Sequence, residues 1–89
     1  MKLKKEVIIS GESDSNIYYA MCAGQSHAID RLVKLNETAY FIGKCMYEEF
    51  DEEAVAEKLM GEYEVGREEA LESVRYVIEV FRKADFLSL

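Results

Sequence analysis

Three short apolar runs, separated by turn-forming residues, open the sequence. Residues 6–10 are rich in β-branched side chains, residues 17–22 include two tyrosines, and residues 28–35 alternate between apolar and polar positions. The intervening residues 11–16 and 23–27 supply Gly, Ser, Asp and Asn, which favour tight turns. This pattern predicts an antiparallel meander of three strands.

Apolar residues in the second half recur every three or four positions, which is the period of a helix. Asn36 is placed to cap a first helix whose apolar stripe runs through residue 50, and Asp51 is placed to cap a second, with Ala54, Val55, Leu59 and Met60 on its stripe. A third helix is predicted over residues 67–84, and residues 85–89 are expected to pack back on the core. The buried stripe predicted for the third helix comprises Ala70, Leu71, Val74, Val77, Ile78 and Phe81.

The predicted element order, β-β-β-α-α-α, is an α+β arrangement similar to a winged helix-turn-helix. With 89 residues, 49% of them apolar, the chain is limited to one domain: a β-meander over residues 1–35 and a three-helix part over residues 36–89. No apolar run approaches the roughly 18–20 residues of a membrane span, and residues 7–9 are too short for a signal peptide. We therefore expect a soluble cytoplasmic protein with no membrane partner.

Charge is divided unevenly between the two halves of the chain. Residues 1–35 hold five basic and four acidic residues, whereas residues 36–89 hold six basic and fourteen acidic ones, a net charge of −8. A helix-turn-helix layout suggests DNA binding, but DNA-binding proteins take much of their affinity from basic side chains that neutralise phosphates. The charge of the helical half argues against a nucleic-acid partner.

Residue types that carry catalysis are sparse in this chain. His27 is the only histidine and lies in a predicted turn. Cys22 and Cys45 have no nearby partner at the spacing of metal ligands, and both are interpreted as small structural residues. The acidic run at residues 48–53 lacks the glycine and the ligand spacing of a metal loop. We predict no catalytic residue, no bound metal and no cofactor.

The third predicted strand lies at an edge of the meander. Residues 28–35 contain no proline, and they include Asp30, Arg31 and Lys34, charged side chains of the kind that discourage an edge strand from pairing with other molecules. The backbone of such a strand can accept a peptide as an additional strand, with main-chain hydrogen bonds supplying affinity. A plain edge protected by charge explains the same residues, so two interpretations stay open at this point.

Three segments of the chain resemble the PqqD family, which is named for a small protein of pyrroloquinoline quinone biosynthesis. The sequence LNETA at residues 35–39, followed by Phe41 and Ile42, resembles the start of that family's first helix. Residues 51–65 resemble its second helix and following turn, and residues 68–87 resemble its third helix and closing segment. The resemblance covers residues 28–89, and the first two strands match in pattern alone.

Two glycines depart from the family pattern. Gly43 stands where the family usually has a bulky aromatic residue such as Trp, and Gly66 stands where it usually has an Asp or Ser helix cap. A glycine inside a helix costs about 1 kcal/mol relative to alanine, so Gly43 is expected to loosen the first helix. These departures bear on the subfamily rather than on the fold.

The resemblance implies a binding function. PqqD-like domains are recognition elements for ribosomally synthesised and post-translationally modified peptides (RiPPs). They bind the leader region of a precursor peptide and present it to a modifying enzyme, often a radical SAM enzyme. The leader is held as an added strand on the third strand, in a groove walled by the third helix. Carried over by position, the peptide-binding residues are Asp30, Arg31, Leu32, Val33, Lys34, Val74, Arg75, Val77, Ile78, Phe81 and Arg82.

Several of these residues have a second interpretation. The apolar ones on the third helix also serve the core, and Arg75 and Arg82 either meet acidic leader residues or pair with Glu72, Glu79 or Asp85. The acidic helical surface either docks a basic patch of the enzyme or serves solubility. The resemblance thus implies a peptide chaperone that performs no bond chemistry, as a monomer or a domain-swapped dimer. The alternatives are a winged-helix DNA-binding regulator and a small protein–protein adaptor.

Overall fold

The computed structural model of the chain describes residues 1–12, 14–23 and 29–88. Of the turn predicted at residues 23–27, residues 24–27, which include His27, lie outside the described residues. Within the described part, no helix has the length and apolar character needed to cross a membrane. The elements in chain order are β1 (Lys2–Leu3), β2 (Val7–Glu12), β3 (Ile17–Ala23), β4 (Ile29–Leu35), α1 (Glu37–Lys44), α2 (Glu52–Glu62), α3 (Arg67–Lys83) and β5 (Leu87–Ser88).

The central sheet confirms the predicted meander. Its strands are antiparallel in the order β2-β3-β4, and three helices follow it, as the predicted fold class requires. Ala20 of β3 lies opposite Ile9 of β2 and opposite Val33 of β4. The β3–β4 register shifts between Cys22 and Ala23, so regular pairing of β4 covers residues 31–35. The third predicted strand is therefore β4, an edge strand of this sheet.

The two faces of the sheet differ in burial. Val7, Ile9 and Ala20 are buried on the inner face, against the helices. On the outer face, Ile8 and Leu32 keep 50% and 59% of their surface exposed. Because side chains alternate along a strand, this division follows directly from the order of apolar and polar residues.

Helix starts agree with the capping residues in the sequence. Asn36 and Asp51 each accept a hydrogen bond from the backbone N–H three residues on, at 2.7 Å and 2.8 Å. Gly66 is the N-cap of α3 and offers no side-chain cap. The prediction that the first helix continues towards residue 50 was wrong. It ends at Lys44 in a tight turn, and the carbonyl of Met46 accepts a hydrogen bond from Leu3 N–H at 2.8 Å.

The core lies between the inner sheet face and the three helices. In α3, Ala70, Val74, Val77 and Phe81 are buried as predicted, while Leu71 and Ile78 are half-buried. The stripe predicted for α2 was partly wrong: Ala54 and Met60 are exposed, and Ala56 is buried instead. The buried face of α2 is Val55, Ala56 and Leu59.

A two-stranded sheet that the sequence pattern did not reveal joins the two ends of the described chain. Lys2 of β1 pairs with Ser88 of β5, and Leu3 pairs with Leu87. Phe86 and Leu87 are buried, which confirms that the segment after α3 packs back on the core.

Gly43 has a packing role within α1. A Cβ at this position would lie 3.3 Å from Ile9 Cδ1 and 3.4 Å from the Phe81 ring. The missing side chain lets α1 approach both β2 and α3, which explains why a bulky residue is absent here.

Candidate functional site

Two N–H groups on the outer edge of β2 are already bonded. Val7 N–H donates to the carbonyl of Lys4 at 3.1 Å, and Ile9 N–H donates to the hydroxyl of Tyr47 at 2.7 Å. Both N–H groups therefore point away from β3. Since Ile9 faces Ala20, the alternation of antiparallel pairing directs the N–H of Ala20 towards β4.

The same alternation sets the orientation of every backbone group in β4. Ala20 faces Val33, so the N–H and C=O of Val33 point towards β3. The N–H and C=O groups of Leu32 and Lys34 then point away from β3, towards the open edge of the sheet. Among the described residues, no further strand bonds to this side of β4. The β4 edge is thus open over these residues, whereas Tyr47 and Lys4 cover two N–H groups of β2.

A groove runs beside this edge, between β4 and α3. One small cavity of 120 Å³ lies among Lys34, Leu35, Tyr76, Val80 and Phe81. A second of 170 Å³ continues along α3 to Ser73 and along α1 to Thr38 and Ile42. Four residues line both cavities: Asn36, Ala39, Tyr76 and Val77.

Arg31 connects β4 to the end of α3. Its Nη1 donates to the carbonyl of Ala84 at 2.5 Å and lies 3.5 Å from Asp85 Oδ2, and its guanidinium lies over the Phe86 ring, 5.7 Å from the centroid. Asp85 also pairs with Lys4 Nζ at 2.8 Å. The hydrogen bond and charge of Lys4, reinforced by Arg31, lower the pKa of the Asp85 carboxyl.

Most of the predicted site residues lie either on β4 or on the apolar face of α3. Leu32, Val33 and Lys34 form the open edge, and Asp30 contributes its backbone to β4. Val77 and Phe81 line the groove, although both are also core residues, and Val74 is wholly buried.

The structure does not bring the predicted arginines of α3 together with the β4 edge. Arg75 Nε contacts Glu52 of α2 at 2.9 Å, and Arg82 Nη2 contacts Glu79 at 2.6 Å. The Arg82 pair is one of the surface salt bridges considered from the sequence, whereas Glu52 was not among the partners considered. Half-buried Ile78 shares this side of α3, away from the groove.

Sequence reasoning missed Tyr76 and Val80 as groove residues. Tyr76 keeps 69% of its surface exposed although it is a large aromatic side chain. Both residues flank the buried stripe of α3 on the side that faces β4. A helical projection that marks apolar residues just outside the stripe would have found them.

Metal-binding groups are absent from the described part of the chain: no cluster of three or more His, Cys, Asp or Glu residues is placed to hold an ion. Cys22 and Cys45 form no disulfide bond with each other, and Cys22 Sγ accepts a hydrogen bond from Arg31 Nη2 at 3.4 Å. The chemistry that the groove offers is therefore backbone hydrogen bonding along β4 and apolar contact along α3.

A family model matches the chain, and two solved structures share its fold. The family model described as coenzyme PQQ synthesis protein D (PqqD) matches residues 7–87. TbiB1, solved in complex with the TbiA(beta) leader peptide, superposes with a TM-score of 0.75 at 16% identity, over 99% of this chain and 95% of TbiB1. Lasso peptide synthetase B1, complexed with its leader peptide, gives 0.70 at 21% identity, over 96% and 93% of the two chains. Among curated protein sequences, none matches significantly.

Proposed function

This chain belongs to the PqqD family, and from that premise we propose that it binds the leader region of a ribosomally synthesised precursor peptide as an additional strand on β4. The observation that carries the proposal is the asymmetry of the two sheet edges. Leu32 and Lys34 offer outward backbone groups beside a groove of mixed apolar and polar lining, while Lys4 and Tyr47 occupy two of the outward N–H groups of β2. The leader-peptide complexes of TbiB1 and lasso peptide synthetase B1 support the same class of ligand.

Side chains alternate along an added strand, and this alternation defines which leader side chains contact the protein. Leader backbone groups bond to Leu32 and Lys34, and every second leader side chain faces the same way as Val33 and Leu35, into the groove. The two adjoining cavities there favour apolar leader residues two positions apart. The intervening leader side chains lie on the outer face of the sheet, beside exposed Leu32. We therefore propose that specificity resides in an apolar pair spaced at i and i+2.

Contacts of Arg75 and Arg82 with acidic leader residues stay part of the proposal. Such contacts require Glu52 and Glu79 to give way to leader carboxylates. Surface ion pairs contribute about 0–1 kcal/mol, so this exchange is inexpensive.

In the proposed mechanism the protein itself makes and breaks no covalent bond. It orders a flexible leader and raises the effective concentration of the attached core peptide at a modifying enzyme, for which a radical SAM enzyme is our candidate. The acidic helical surface is the proposed docking face for a basic patch of that enzyme. We place the process in the cytoplasm and expect a monomer or a domain-swapped dimer. Addition of one short strand is consistent with roughly micromolar to submicromolar affinity.

Proline substitution along β4 tests the proposed edge directly. Leu32→Pro removes an N–H that faces outward, at a position where an edge strand tolerates proline, so the variant should fold. Its affinity for a fluorescently labelled leader should fall at least tenfold. Leu32→Ala keeps the N–H and should bind within about twofold of the parent, because backbone bonds supply the affinity. Val33→Pro instead removes a donor to β3 and should lower the stability of the sheet itself.

The leader for this titration is that of the short precursor peptide encoded nearest to this chain's gene. Folding of each variant is checked by circular dichroism and by its unfolding midpoint. A folded Leu32→Pro variant that binds the leader as tightly as the parent would overturn strand addition at β4.

A further inference from the structure

A cavity larger than both cavities of the groove lies away from β4. It is an open cleft of 680 Å³ on the other side of α1, between the β2–β3 hairpin and α2. Two sides of α1 line two different cavities. The cleft is lined by positions 37, 40, 41 and 44 of the helix and by position 45 just after it, and the groove by positions 38, 39 and 42. The lining comprises Gly11, Tyr18, Glu37, Tyr40, Phe41, Lys44, Cys45, Lys58 and Tyr63.

Aromatic rings form most of the wall of this cleft. The rings of Tyr18 and Tyr40 pack with centroids 4.8 Å apart, and Phe41 meets Tyr63 edge to face at 5.7 Å. Gly11 lies flat against the Tyr18 ring, so that ring is held between β2 and α1. The wall thus offers extended apolar surface fixed by packing from several elements.

The one carboxylate that lines the cleft already has hydroxyl partners. Tyr63 donates its hydroxyl hydrogen to Glu37 Oε2 at 3.1 Å. Burial, together with the Glu37 carboxylate, raises the pKa of Tyr18 and of Tyr63, so both hydroxyls stay protonated and available to it. Neutral hydroxyl donors therefore occupy hydrogen-bonding positions of Glu37, while its negative charge offsets only one of the two positive charges in the lining.

Two ammonium groups line the same cleft. Among the described residues, neither Lys44 nor Lys58 has a carboxylate within salt-bridge distance, although the chain holds 18 acidic residues. Lys44 Nζ donates to the Tyr40 hydroxyl at 3.4 Å and lies 5.2 Å from the centre of that ring. Burial raises the pKa of the Cys45 thiol, and the charge of Lys58 opposes that rise, which places this charge near the cleft wall.

From this arrangement we propose that the cleft binds a compact organic anion. Its carboxylate is held by Lys44 and Lys58, and its apolar or aromatic body lies against Tyr40, Phe41 and Tyr63. The volume falls within the roughly 300–1,000 Å³ of small-molecule sites, and a few polar groups in an apolar wall are typical of them. A chain with net charge −7 repels anions in general, so a cleft whose lining carries one more cationic than anionic side chain is a selective place for one.

Matched acids and amides test the role of charge. The probes are 3-phenylpropionate and 3-phenylpropionamide, together with N-acetyl-glycyl-phenylalanine as free acid and as amide. Binding is followed by nuclear magnetic resonance shifts of the Tyr18, Tyr40 and Tyr63 rings. We expect at least one acid to bind, at least tenfold more tightly than its amide. A preference for phenylpropionate indicates a free organic acid, and a preference for the dipeptide indicates a peptide carboxyl terminus; both outcomes support the site.

Lysine variants locate the binding within the protein. Lys44→Gln combined with Lys58→Gln should weaken the acid at least tenfold, while Lys83→Gln, at the exposed end of α3, should leave it unchanged. The affinity of the double variant for the leader peptide should equal that of the parent, since the cleft and the groove lie on opposite sides of α1. Equal binding of acid and amide, binding undiminished in the double variant, or no binding of either acid would overturn the proposal.

Discussion

Arg31 of β4 donates a hydrogen bond from Nη1 to the carbonyl oxygen of Ala84, the residue that caps the C-terminus of α3, at 2.5 Å. This bond joins the open edge strand to the helix that forms the opposite wall of the groove. A cation at a helix C-terminus is also favoured by the helix dipole. Arg31 therefore links β4 to the C-terminal end of α3 through its contacts with Ala84, Asp85 and Phe86.

Removal of this connection should loosen the groove. We expect Arg31→Ala to lower the free energy of unfolding by about 1–3 kcal/mol, the range for a charged hydrogen bond. Arg31→Lys keeps the charge near Asp85 but loses the planar guanidinium donor. Its free energy of unfolding should therefore lie between those of the parent and Arg31→Ala. Urea unfolding measures the effect. Equal stability of Arg31→Ala and the parent would show that α3 is held in place without this bond.

Asp85 should make stability depend on acid pH. Its pKa is lowered in the folded protein by Lys4 first and then by Arg31, so its contribution is present above its unfolded pKa of about 3.9. That contribution is lost as the pH falls through the folded pKa. Asp85 has a φ of 61°, which Asn tolerates, so Asp85→Asn removes the charge without straining the backbone.

The stability difference between the parent and Asp85→Asn should therefore shrink as the pH is lowered from 6 towards 2. Thermal unfolding at a series of pH values measures it. Glu64→Gln, at an exposed carboxylate with no ion pair among the described residues, reports the general effect of losing a surface charge. A difference between parent and Asp85→Asn that stays constant over this range contradicts the assignment.

Two glycine substitutions should have opposite effects. A Cβ at Gly11 would overlap Tyr18 Cδ1 and crowd the carbonyl of Ile17, so Gly11→Ala should lower stability by about 1–3 kcal/mol. Gly61, near the end of α2, has open space around it, and Gly61→Ala should raise stability by about 0.5–1 kcal/mol. Urea unfolding of both variants checks the signs. An unchanged stability of Gly11→Ala would mean that the Tyr18 ring can move aside to make room for the added methyl group.

Tyr76 should matter for leader binding far more than for folding. Its ring lines both small cavities of the groove but remains largely exposed, so Tyr76→Ala removes a binding wall without opening the core. We expect leader affinity to fall at least fivefold and stability to change by less than about 0.5 kcal/mol. Tyr76→Phe should retain affinity, and Glu72→Ala, on an exposed position of α3, should have no effect. A leader affinity unaffected by Tyr76→Ala would place the leader outside these cavities.

Local patterns in the sequence were sufficient for the meander, the three helices and their caps. The β4 alternation and the buried stripe of α3 each repeat over several residues, and Asn36 and Asp51 bond to N–H groups three residues away. Such signals act within one element and can be read along the chain. The edge strand that the resemblance singled out is also an edge in the structure.

Features that depend on distant residues escaped the same reasoning. β1 and β5 are two residues long, too short for a periodic signal. The segment after α1 bonds to β1 instead of continuing the helix, through the N–H of Leu3 and the carbonyl of Met46. The sequence pattern predicts Arg31 as a charged surface residue of the edge strand, and it carries no sign of the hydrogen bond to Ala84, 53 residues away. The cleft of Lys44 and Lys58 draws its wall from β2, β3, α1 and α2, and no linear spacing relates those residues.

The hydrogen bond from Ile9 N–H to the Tyr47 hydroxyl limits how this sheet can grow. A sheet open at both edges can stack molecule upon molecule into an endless ribbon, the route to fibres. Because Lys4 and Tyr47 occupy the N–H groups of Val7 and Ile9, the β2 edge accepts a further strand poorly, and two copies that pair through β4 form a dimer rather than a ribbon. The edge that is open to a leader peptide therefore does not by itself make the protein form fibres.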